Sequence, residues 1–190
     1  MRSLRHLSPL GRRARRRRRS TRGFSLVELM IVVAIIGTLS AIAVVGGARY
    51  LQHSKTAEAL RSLGTLETAE RAQYQLDTDS TGSGTGPYVH VFCPSIGAYV
   101  PAAPPAASKY MSTSADWSAP TWRCLRFSMH EPQYYAYKAT DWGTTPDQFT
   151  LQAVGDLNGN GVQSSYRIDG IGSASGDAQR LFLLVVNGDE

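Results

Sequence analysis

The sequence predicts an α+β fold: one long N-terminal α-helix, apolar in its first half and amphipathic in its second, packed on a small antiparallel β-sheet. Three observations predict it. Twenty residues without a charge lie between Glu28 and Arg49. Apolar residues then recur at spacings of three and four. Short strand-like runs, separated by turn-forming residues, fill the remainder.

The charge-free run comes first. As a helix, at about 1.5 Å per residue, it covers roughly 30 Å, the thickness of a bilayer core. A core helix of a soluble protein is shorter or carries charge, so a membrane span is the favoured reading. The flanking charge supports it. The chain is formally +5, with 20 Lys+Arg against 15 Asp+Glu. Residues 1–23 hold ten of the cations, all Arg, and no acid. The rest of the chain therefore has 10 basic and 15 acidic side chains, a net of −5. Arg12-Arg13 and Arg15 to Arg19 are compatible with a nucleic-acid-binding arm. Directly before an apolar span they read better as the cytoplasmic flank that orients it, so no direct nucleic-acid binding is expected.

Glu28 stands at the edge of that span. A carboxylate in hydrocarbon is costly and usually functional. It also argues against a secretory signal peptide cut after Ala41-Ile42-Ala43, because it raises the insertion cost of an h-region for no gain. Arg18-Arg19 opens a twin-arginine reading that the residues after it do not follow.

After Arg49 the helix becomes amphipathic. Ala59, Leu63, Leu66 and Ala69 form a stripe that Leu76 closes, with Arg61, Glu67, Glu70 and Arg71 mostly off it. Gly64 is a weak point. Residues 77–87, rich in Gly, Ser and Thr, read as a loop, and the Pro-rich region from Pro94 to Pro120 as a surface excursion. Strands are expected at Trp122 to Phe127, Gln133 to Ala139, Gln148 to Val154, Gln163 to Ile168 and Leu181 to Val186. Short connections suit antiparallel pairing. Tyr134, Tyr135 and Tyr137 are expected as core and edge aromatics rather than as a binding platform.

The run Gly23-Phe24-Ser25-Leu26-Val27-Glu28-Leu29-Met30, continuing through Ile31-Val32-Val33-Ala34-Ile35-Ile36-Gly37, resembles the class III signal of type IV pilins and type II secretion pseudopilins. Basic leader, terminal Gly, Phe, a Glu four residues later and a long apolar run occur in order. The resemblance covers about 25 residues. It implies a pilin-like fold and a non-enzymatic, structural subunit. A prepilin peptidase would cut after Gly23 and methylate the new amine of Phe24. The subunit would wait in the inner membrane as a single-pass protein with a cytoplasmic N-terminus. An assembly platform would then draw it into a helical filament with other pilin subunits, as an extracellular pilus or a periplasmic pseudopilus. Adhesion, motility and DNA uptake are roles within that family. Glu28 would be the assembly residue, facing the Phe24 amine of a neighbour. Many relatives carry Pro where this chain has Val45; Gly46-Gly47 follow here.

The expected organisation is a cleaved basic leader (1–23), a transmembrane or filament-core helix (24–48), its amphipathic continuation (49–76), a loop (77–87) and a β-sheet head (88–190). Beyond a span with its N-terminus inside, Cys93 and Cys124 lie in an oxidising compartment, and a disulfide is the favoured reading. Pairing of Cys93 with His90 or His130 for nucleophilic chemistry has no supporting motif. Asp156-Leu157-Asn158-Gly159-Asn160-Gly161 reads first as an Asn-Gly hairpin turn. The alternative is a partial calcium loop of Asp156, Asn158 and Asn160, completed across the hairpin by Asp169. A calcium-dependent secreted binding module released after Ala43 is the competing reading from another class. Walker loops, zinc quartets and Ser-His-Asp orders do not stand out, and no enzyme is expected.

Overall fold

The computed structural model describes residues 23–79, 83–84, 86–142 and 147–188; of the basic leader expected over 1–23, residues 1–22 lie outside the described residues. Helix α1 spans Leu26–Tyr74 and is followed by β1 (Thr78–Asp79), β2 (Tyr88–Val89), α2 (Pro120–Cys124), β3 (Ala136–Asp141), β4 (Gln148–Gly155), β5 (Ser164–Gly172) and β6 (Ala178–Val186). The fold is α+β. The chain divides into two compact units, Met1–Ala43 and Val44–Glu190.

The first unit contributes the apolar start of α1. Leu26–Val44 has a mean hydropathy of 2.5 and none of it is buried. A helix that is apolar on every side and exposed on every side needs hydrocarbon or other helices around it.

The second unit is the head. Its four-stranded sheet runs β3-β4-β5-β6, antiparallel throughout, so each connection joins neighbours. Strand periodicity sends alternate residues to one face. Tyr137, Ala139, Phe149, Leu151, Ala153, Tyr166 and Ile168 form that face and are buried. They share one core with Ala59, Leu63, Leu66 and Tyr74 of α1. The free edge of β3 is partly closed by Val100, which pairs antiparallel with Tyr137.

The helical stripe differs from expectation in two places. Leu76 lies past the end of α1 and is 57% exposed. Tyr74 takes its place, with its ring 4.2 Å from that of Phe92. The spacing 59, 63, 66, 70, 74 then runs straight through Glu70, which is 1% exposed, and Glu67 beside it is also buried. The apolar spacing through Ala69 places both mostly off the stripe; in the structure both are buried.

The stretch expected as a strand at Trp122 to Phe127 is instead α2 followed by a turn. Pro120 occupies the first turn of α2, where its fixed φ suits a helix and its missing N–H costs nothing. Trp122 is buried against Trp117, with ring centres 5.0 Å apart. β3 starts at Ala136 rather than Gln133, because Gln133 pairs with Tyr110 outside the sheet. The expected loop over 77–87 contributes Thr78–Asp79 to a short pairing with Tyr88–Val89. β5 and β6 are each longer than expected.

Between β5 and β6 the register shifts at Asp169/Gly170. Phe182 pairs with Asp169, and the next partner, Gly170, meets Arg180. Leu181 is the extra residue. A bulge of this kind changes which face the following side chain takes. Arg180 is turned onto the helix face and meets Glu67 there. Phe182 stays on the opposite face with Asp169.

Replacing Leu63 with Ala removes a fully buried side chain from the helix–sheet seam. The expected loss is about 2–5 kcal/mol of head stability. It would be read as a lower urea midpoint at unchanged slope.

Candidate functional site

The motif residues begin α1. Ser25 precedes the first helical residue, and Glu28 lies in the first turn. The Glu28 N–H donates to Ser25 Oγ at 3.2 Å, and the Ser25 N–H donates to Glu28 Oε2 at 3.4 Å. This is a reciprocal capping box: each side chain satisfies one of the donors that a helix start leaves free. A carboxylate there also complements the positive end of the helix dipole. Ser-x-x-Glu before an apolar run is a readable signal, and the sequence reading passed over it. Gly23 and Phe24 precede the helix, and Phe24 is exposed. In the uncut chain the Phe24 nitrogen is an amide.

In the head, three helix glutamates are consumed by structure. The Tyr134 N–H donates to both Glu58 oxygens, at 3.0 and 3.1 Å, and the Tyr137 hydroxyl donates to Oε1 at 3.2 Å. Burial raises the Glu58 carboxyl above its ordinary range, with these hydrogen bonds opposing. Glu67 takes Arg180 and, at 4.0 Å, Arg71. Glu70 accepts the Cys93 N–H at 3.0 Å. Burial pushes the Glu70 carboxyl up to about 7; the Cys93 N–H pulls it down and the charge of Asp141 adds to the rise.

Cys93 and Cys124 form a disulfide with Cα atoms 5.7 Å apart. Both sulfurs are in that bond, so no thiol is left for a Cys–His pair. His130 meets Ser128, and His90 lies 3.9 Å from Asp77.

The Asp156 turn binds its own backbone. Asp156 Oδ1 accepts from Gly159 at 2.7 Å and Oδ2 from Gly161 at 3.0 Å. Asn158 Oδ1 accepts from Asn160 at 2.9 Å, and Asn160 Oδ1 from Val162 at 2.7 Å. Gly159 and Gly161 both have positive φ, as such a turn demands. Asp169 does not join it. The register sets Asp169 opposite Thr150, six positions along β4 from Asp156, or about 20 Å at strand rise. It accepts instead from Thr150 Oγ1 at 2.5 Å and Arg167 Nε at 2.8 Å. Among the described residues, no group of three or more His, Cys, Asp or Glu gathers as a metal cage.

Against this geometry the comparisons are specific and short. Residues 18–44 match the family model of the prokaryotic N-terminal methylation motif. The matched span holds Gly23, Phe24, the capping box and the exposed apolar helix start. No curated protein and no solved structure matches the chain. The match therefore concerns the N-terminus: a prepilin-type processing signal joined to an apolar helix start. The chain carries the type IV pilin and pseudopilin signal.

Glu70 gives the head a pH signature. Its folded value of about 7 exceeds the ordinary 4.5, so between those two values the folded chain holds the proton more firmly than the unfolded one. Stability from this group is complete below about 4.5 and is lost as pH rises through about 7. Glu70→Gln keeps an acceptor for Cys93 without the charge. The thermal midpoint of the variant is expected to pull ahead of the parent across that window, measured as the difference between their melting curves.

Proposed function

We propose that this protein is a structural subunit of a type IV pilus filament, anchored in the inner membrane before assembly. One observation carries the reading: a prepilin motif ending in Gly23-Phe24 is joined to an apolar helix that has no cover of its own. Cleavage after Gly23 turns the Phe24 amide into an amine, which the same peptidase would methylate. In the filament, the exposed apolar residues of α1 would pack against those of neighbouring subunits. The head offers further contact surface along β6, where Leu183, Leu184, Val185 and Val186 are all exposed on an edge strand.

Glu28 would then serve twice. In the single chain it caps its own helix. In the filament it would face the Phe24 ammonium of a neighbour in a water-poor core. Removing one member of a buried pair costs about 3–5 kcal/mol, so a subunit seated short of full depth would be penalised. The type II secretion pseudopilus is the runner-up, since the motif is common to both. Sheared surface filaments support the pilus; failure to export a secretion substrate on deletion supports the pseudopilus.

Two measurements test this. Intact-mass analysis of the mature protein is expected to give a chain starting at Phe24 and heavier by one methyl group; a start at Val44 overturns the proposal. Glu28→Ala is expected to leave subunit in the membrane and to abolish most filament assembly, scored by shearing and blotting. Assembly at parental levels would remove the role given to Glu28.

A further inference from the structure

The face of the sheet turned away from α1 holds a row that neither the core nor the prepilin motif uses. From β3 to β6 it runs Trp142, Thr150, Asp169, Phe182. Thr150, Asp169 and Phe182 share one rung of the ladder, and Trp142 follows β3 with its N–H bonded to the Gln148 carbonyl. These residues, with Arg167 and Leu181, line an open cavity of about 330 Å³, within the usual range for small-molecule sites.

Its two ends are aromatic and open: Trp142 is 57% exposed and Phe182 is 49% exposed. Its floor is polar and buried: Thr150 is 5% exposed and Asp169 is 6% exposed. A hydrogen-bond chain fixes the parts. The Trp142 indole N–H donates to Thr150 Oγ1 at 3.1 Å, Thr150 donates to Asp169 Oδ1, and Arg167 Nε donates to the same oxygen. An exposed indole of this kind is usually free to rotate. This one is held by a buried hydroxyl, so little rotamer freedom remains to be lost on binding.

The chemistry narrows the occupant. Arg167 and Asp169 neutralise each other, so the floor has no surplus charge with which to select an ion. The guanidinium still carries its terminal N–H donors, and Asp169 Oδ2 accepts no hydrogen bond from the described residues. Donor and acceptor side by side suit neighbouring hydroxyls, each of which gives and takes a hydrogen bond. The flanking ring faces suit the C–H face of a saturated ring. A purely apolar partner would take the floor's remaining donors and acceptor from water without replacing their hydrogen bonds.

We propose that this row is a binding site for one ring of a neutral saccharide, stacked on Trp142 and Phe182 and hydrogen-bonded by Arg167 and Asp169. The site is shallow and single-ringed, so affinity for a free monosaccharide is expected to be weak, with a dissociation constant of order 1 mM.

The test uses the mature full-length protein in a zwitterionic detergent without a sugar headgroup. The probes are the methyl glycosides of glucose, galactose, mannose, N-acetylglucosamine and N-acetylgalactosamine, each titrated to about 50 mM, well above that constant. Two signals are followed by NMR: the Trp142 indole N–H resonance, and saturation transfer from protein to sugar C–H protons. At least one glycoside is expected to shift the indole resonance saturably and to receive transfer. Trp142→Ala is expected to abolish the transfer, and Phe182→Ala or Arg167→Ala to weaken binding about tenfold or more. All three side chains are substantially exposed, so the variants are expected to keep the parental amide spectrum; Asp169→Asn, which preserves shape, is a further check on the floor. The proposal is overturned if no glycoside moves the resonance. It is equally overturned if transfer survives in Trp142→Ala, or if the resonance responds to protein concentration rather than to sugar, which would make the row a contact between copies of the chain.

Discussion

The head depends on one constraint: a four-stranded sheet needs a cover for its apolar face, and a single helical stripe supplies it. Positions 59, 63, 66, 70 and 74 of α1 lie over Tyr137, Ala139, Leu151, Ala153 and their neighbours. The stripe is not wholly apolar, and that imperfection organises what surrounds it. Glu70 is carried into the core by helical geometry, so a partner must come to it, and the Cys93 N–H does. The disulfide then ties that segment to α2, which brings Trp122 into the core. A buried carboxylate with an organised donor is tolerable; without one it is among the costlier defects a core can hold.

The same helix meets two solvents. Its head-side part has one apolar stripe and a charged remainder. Its first part is apolar all round and exposed. At its start, Ser25 and Glu28 satisfy donors that neither lipid nor a packed helix bundle can satisfy. The carboxylate is thus aimed at the N-terminal end of its helix before any neighbour arrives. In the proposed filament, processing only has to supply the opposite charge.

The β5–β6 bulge shows how one residue divides labour between two faces. Without the bulge, regular alternation would put Arg180 and Phe182, two residues apart, on one face. With it, Arg180 meets Glu67 on the helix side, and Phe182 remains beside Asp169 on the other. The ion pair anchors α1 to the sheet's edge strand, and the outer row keeps its aromatic end.

The prepilin motif, the apolar span and most of the sheet were legible because they rest on local signals: residue order, hydrophobic period and turn composition. Ala59, Leu63 and Leu66 were found by spacing. Glu70 falls beside Ala69, which continues the apolar spacing by itself, and the Ser25–Glu28 capping box is hidden behind the reading of Glu28 as a membrane-edge carboxylate and assembly residue. Trp122 to Phe127 looks strand-like in composition, yet Pro120 at a helix start and burial against Trp117 make it helical. Asp169 lay close enough in sequence to seem a partner for Asp156; strand register put the two far apart. By itself the sequence determined where the apolar span and the prepilin motif lie, since those follow from runs of adjacent residues. Which glutamates are buried, which face Asp169 and Phe182 share, and what stands beside Trp142 were decided by tertiary structure, because register and a one-residue bulge join residues that no local pattern connects.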